Sequence, residues 1–183
     1  EGYRGDLENF VTNNGTWLNQ GFVTSEVYKL SHGSNWNKPV DGVMFADLGY
    51  PNYTGMLAVA ATRLDELAPC LEKLVPIIQQ AQVDYVTNPA EVNKLLVEFN
   101  EGNFGTTWWK TSMELKDFAA KQLVDIGAVG NGANDTLGDF DMDRVNRMHE
   151  IVKPWLDERA NPDVKPEDVV TNRFIDSSIG LKK

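Results

Sequence analysis

Cysteine is almost absent. Cys70 stands alone in 183 residues, so no disulfide can close within the chain and no multi-cysteine zinc site can form. Placed after Pro69 in a helical stretch, it is expected to fill a small apolar gap in a core. Histidine is nearly as scarce, with only His32 and His149. Lys and Arg number 17 against 27 Asp and Glu, a formal charge of −10. That balance, with no basic stripe, argues against nucleic acid and anionic membrane surfaces as partners. No apolar run reaches the roughly 18 residues a membrane span needs. Also missing are a Gly-x-Ser-x-Gly elbow, a Gly-x-x-x-x-Gly-Lys-Ser/Thr phosphate loop and a Gly-x-Gly-x-x-Gly turn. Catalysis therefore has no anchor, and the chain reads as a non-enzyme with no cofactor and no metal. The opening Glu1-Gly2-Tyr3-Arg4 has no initiator methionine, basic region or apolar leader, which suggests a processed start or a portion of a longer polypeptide.

The most informative stretch runs from Val43 to Pro69. A short apolar run (Val43–Ala46) breaks at Asp47-Leu48-Gly49 and passes Tyr50, Pro51 and Tyr53. It resumes from Met56 to Ala61 before Asp65 and Pro69 open a helix. The expected order is strand, aromatic loop, strand, capped helix. Flat rings beside polar turn residues are what a binding cleft uses, because they give large contact area at little rotamer cost. A plain hairpin loop with packed tyrosines is the alternative. Gln20–Thr24 is a further strand candidate, and Ser31–Pro39 reads as loop.

From Pro69 the spacing turns helical. Leu71, Leu74, Val75, Ile78, Ala81 and Tyr85 form one stripe, with a kink expected at Pro76. Asn88-Pro89 should start a second helix and Gly102 stop it. A third is expected over Trp108–Ile126, ending at Gly127. Asp141 should cap a fourth through Glu158, bent at Pro154, with Val145, Met148, Val152, Trp155 and Leu156 on its buried face. A short helix opens at Lys165-Pro166-Glu167-Asp168 after Asn161-Pro162. No internal repeat or low-complexity tract appears. Strand signals crowd the first third and helix signals the rest, predicting an α/β chain that is helix-rich in its C-terminal two thirds.

Asp139, Asp141, Asp143 and Glu150 match positions 1, 3, 5 and 12 of a calcium loop, but Arg144 stands where the turn needs Gly. Helix capping with favourable dipole charge is the better reading of that run. Trp108-Trp109 could line a cleft, although alternate faces put one of them in a core. Three Asn-x-Ser/Thr triplets (Asn14, Asn52, Asn134) matter only in a eukaryotic secretory setting.

Four ordered blocks add a family likeness: Gly21–Glu26 (GFVTSE), Asp47–Pro51 (DLGYP), Leu67–Gln80 (LAPCLEKLVPIIQQ) and Thr171–Asp176 (TNRFID). Together they resemble the second half of bacterial ABC transporter substrate-binding proteins of the thiamine-precursor, nitrate and taurine branch. The resemblance implies part of a two-lobe α/β periplasmic-binding-protein type II fold. Residues 1–55 would end the second lobe, and 56–183 would supply the return crossing strand, Met56–Ala61, and the helical remainder of the first. It implies capture of a small, planar solute, an ABC permease as membrane partner, and an extracytoplasmic location. The polar ligand candidates are Thr24, Glu26 and Tyr28, and the aromatic ones Trp17, Phe22, Tyr50 and Tyr53. Where the family often has Glu-Pro this chain has Glu26-Val27, which frees φ but keeps the carboxylate. The alternative is a non-catalytic helical interaction module, or a fragment without ligand binding of its own.

Overall fold

A computed structural model describes residues 7–32, 36–103, 110–156 and 163–182. Gly33-Ser34, Trp108-Trp109, Glu158 and Asn161-Pro162 lie outside them. Of the described residues 52% are helical, and their only β pairing is an isolated antiparallel bridge between Asn131 and Leu137. The expected α/β two-lobe fold is thereby corrected to a helical one. The helices are α1 (Glu8–Thr12), α2 (Glu26–His32), α3 (Leu64–Thr87), α4 (Ala90–Asn103), α5 (Met113–Asp125), α6 (Met142–Val152) and α7 (Pro166–Val169).

Each strand expectation fails for want of a partner. Val43–Ala46 winds into turns, with Asp47 N–H donating to the Met44 carbonyl and Gly49 N–H to that of Ala46. Gln20–Thr24 runs unpaired into the turn that opens α2. Met56–Val59 has no secondary structure, and its residues are exposed. A strand exists only when a neighbour completes its ladder, and the described residues bring none alongside.

Two compact units emerge, Glu1–Gly42 with Asp84–Val129, and Val43–Val83 with Gly130–Lys183. In the first, α4 packs on α5 and α2 on α5. Its buried apolar residues include Leu30, Leu115, Ala120 and Val129. A polar relay runs from half-buried Tyr85 through buried Asn93 to exposed Asp117. Asn93, at 0% exposure, accepts from the Tyr85 hydroxyl at 3.0 Å and donates to Asp117 Oδ1 at 2.8 Å. Burial, and after it the Asp117 charge, holds the Tyr85 phenol above its ordinary pKa. Ser112 caps α5 by accepting from Leu115 N–H, so residues 110–112, expected inside this helix, precede it; α5 ends at Asp125, and Gly127, the expected stop, adopts φ +69° just beyond.

In the second unit Ala68, Leu71 and Phe174 form the core, with Leu64, Leu67 and Val75 against it. Helix α3 begins well before Pro69 and continues through both prolines. Cys70 lies on its outer face, exposed and not in the core as expected. Loops are tied down by amide side chains that behave as pieces of strand. Asn172 exchanges two hydrogen bonds with the backbone of Phe140 (2.8 and 2.9 Å), and Asn131 does the same with Leu181 (2.7 and 2.9 Å). A Cβ at Gly180 would lie 2.0 Å from the Asp135 carbonyl oxygen, so the close approach of those loops requires glycine.

Asp141 caps α6, its carboxylate accepting from the N–H groups of Asp143 (2.9 Å) and Arg144 (3.4 Å). The helix then runs through Glu150, the expected distal position of the calcium-like run. Asp141→Ala should lower stability by about 1 kcal/mol and Asp141→Asn by only a few tenths, read from urea midpoints. The helix is shorter than expected. Pro154 sits in a 3-10 turn, Lys153–Trp155, and Trp155 and Leu156, expected on the buried face, are 84% and 49% exposed. Val145 alone of that face is fully buried.

Candidate functional site

The first group of expected ligand residues, Trp17, Phe22, Thr24, Glu26 and Tyr28, belongs to the first unit. Its carboxylate is already engaged. Glu26, 7% exposed, opens α2 and folds back, accepting from Phe22 N–H at 2.6 Å and from the Ser25 hydroxyl at 2.5 Å. Gly21 allows this, since a Cβ there would stand 2.9 Å from the Glu26 side chain. Glu26 therefore acts as a turn lock. Tyr28 stacks on His32 at 4.5 Å and meets Phe118 at 5.2 Å, which makes it packing for α2 on α5. Thr24 lies half-buried in the turn before α2, while Trp17 and Phe22 are exposed in irregular chain.

Tyr50 and Tyr53 belong to the second unit, where the aromatic loop is built into the N-terminal end of α6. Arg144 donates from Nε to the Pro51 carbonyl and from Nη2 to the Asn52 carbonyl, both at 2.7 Å. Its guanidinium lies 3.9 Å from the Tyr53 ring centroid. Tyr53 also meets Phe140 edge-on at 5.1 Å, and its hydroxyl accepts from Asp141 N–H at 2.9 Å. Asn172 fixes Phe140 from the other side. The loop is thus preorganised by a charged, planar group that binds two carbonyls and a ring together. Tyr50 is left with an exposed ring.

Sequence reading missed Arg144, Phe140 and Asn172 as parts of this site and took Asp141 only for a helix cap or a calcium-loop position. Arg144 stood out only as a residue that spoils a calcium loop, and nothing local links it to a tripeptide more than 90 positions earlier. No group of His, Cys, Asp and Glu among the described residues is arranged to hold a metal ion. No helix among them is long and apolar enough to cross a membrane. An open groove of about 450 Å³ lies between α6 and α7, lined by His149, Glu150, Lys153 and Lys165 among others. It contains none of the expected ligand residues, and its charges of both signs sit in open solvent, where pairing is weak.

No protein-family model matches the chain, and neither do curated proteins or solved structures.

Proposed function

We propose that this protein is a solute-binding component of an ABC importer, working outside the cytoplasm, capturing a small planar solute on the aromatic loop 47–53 and delivering it to a permease. The observation that carries the reading is how three of the four resembling blocks meet within the second unit, Gly21–Glu26 belonging to the first. Gln79 hydrogen-bonds Asp176, Arg173 pairs with Asp65 at 2.6 Å, and Phe174 packs on Ala68 and Leu71. The Asp47–Pro51 block is tied to the same framework through Arg144, Tyr53, Phe140 and Asn172. Segments far apart in sequence that share a likeness also share one interlocked structure. Tyr50 supplies the open ring on which a planar solute would stack.

Exposed apolar residues on Met56, Leu57 and Val59 favour a second reading, a helical interaction module whose apolar stretches are covered by another polypeptide. Thermal melts separate the two. Only a ligand that binds the folded state raises its melting temperature, and at one hundred times Kd the stabilisation is about 2.7 kcal/mol. At this chain length that is roughly 5–10 °C. Among an aminopyrimidine, nitrate and an aminosulfonate, at least one is expected to give such a shift, and Tyr50→Ala to remove it. If none of them shifts the melt, the interaction-module reading takes its place.

A further inference from the structure

Helix α4 is folded inside out. The residues it turns inward are Asn93, Val97 and Asn100, spaced by four and three, and the fully buried one is an asparagine. Its apolar stripe, Val92, Leu95 and Leu96, at i, i+3 and i+4, is 41 to 63% exposed. Amphipathic helices ordinarily do the reverse, and an exposed stripe at this spacing has the pattern by which one helix receives another. The polar inward face is satisfied by the relay to Tyr85 and Asp117, so α4 is held in this orientation.

The border of the stripe is acidic. Glu91 precedes Leu95 by one helical turn and Glu98 follows it by one. Glu91 has no ion pair among the described residues, and Glu98 has only a loose one, with Lys94 at 3.9 Å between exposed groups. A second copy of the chain is a poor occupant, because each carries a formal −10 and pairing would set the same acidic borders together. We infer that the Val92/Leu95/Leu96 face of α4 is a docking surface for an amphipathic helix of another polypeptide whose apolar stripe is bordered by Lys or Arg. The 14 residues of α4 span about 21 Å, matching a partner helix of up to four turns. This surface does not depend on the solute-binding reading, and either can fail without the other.

The test uses a fluorescent 14-residue helical peptide with Leu on one face and Lys on its borders, followed by anisotropy on the whole chain. Binding in the micromolar range is expected, weakening several-fold from low to high salt. Leu95→Asp should weaken it at least tenfold. The sign is diagnostic, because an added carboxylate would tighten mere attraction of a cationic peptide to an acidic protein. Leu95 is exposed, so circular dichroism and urea midpoint should stay at wild-type values. Reversing the border with Glu91→Lys and Glu98→Lys should shift preference to the same peptide carrying Glu for Lys. The inference is overturned if the wild-type chain does not bind at 100 µM peptide (about the weakest Kd such an apolar anchor should give). It is equally overturned if Leu95→Asp binds as well or better, if the Glu peptide binds wild type equally, or if sedimentation shows the stripe pairing two copies.

Discussion

Gln79→Leu is expected to destabilise the second unit by about 3 kcal/mol, moving its urea midpoint down by roughly 1–2 M. Gln79 is buried on α3 and ties to that helix two chain segments that are otherwise bonded to each other. Its Nε2 donates to the Leu137 carbonyl at 2.7 Å and to that of Asp176 at 3.3 Å, and its Oε1 accepts from Asp176 N–H at 2.9 Å. Leucine keeps the volume and removes every one of those bonds. The Leu137 carbonyl, in a buried residue, then loses a partner that water cannot easily replace. Faster hydrogen exchange should be confined to segments 130–141 and 172–182, with the first unit unaffected. An unchanged midpoint would mean that these loops are held by something other than α3.

Asn93→Asp should cost at least about 3 kcal/mol at pH 7, and the loss should shrink on acidification. The substitution replaces the amide that donates to Asp117 Oδ1 at 2.8 Å with a carboxylate facing a carboxylate. The introduced carboxyl would occupy a fully buried position beside the charge of exposed Asp117, so its folded-state pKa is raised above its unfolded value of about 3.9. For a group shifted in that direction, stability is fully present below the unfolded pKa and is lost as pH rises through the folded one. The deficit should therefore be small near pH 4 and full at pH 7. Asn93→Ala, which introduces no charge, should lose about 2 kcal/mol at both pH values. Equal deficits for Asn93→Asp at pH 4 and 7 would contradict the relay.

Helices with strong local signals were legible in the sequence. The Asp141 cap and the glycine after α5 depend on residues within a turn or two of each other, and the structure places them as read, whereas the α3 stripe is only partly turned inward, with Leu71 buried and Leu74 and Ile78 exposed. Strands were not legible, because β propensity at Val43–Ala46 and Met56–Ala61 says nothing of whether a neighbouring strand is there to pair. Trp155 was assigned to a buried face by a periodicity that Pro154 interrupts. At the site, Tyr53 was found for its ring, whereas its actual anchors, Arg144 and Phe140, act across distances in sequence that no local spacing encodes. Glu26 was found for its carboxylate, but a charge that can reach its own backbone is satisfied before any ligand arrives. The inverted face of α4 was hidden because Asn93 looks like a surface residue until Tyr85 and Asp117 are seen on either side of it.

The most direct measurement is hydrogen exchange by mass spectrometry on the chain with and without the solute that raises its melting temperature. Solute capture on the aromatic loop predicts added protection in 47–53 and at the start of α6, 139–145, and its disappearance in Tyr50→Ala. Protection confined to other segments, α4 among them, would contradict it.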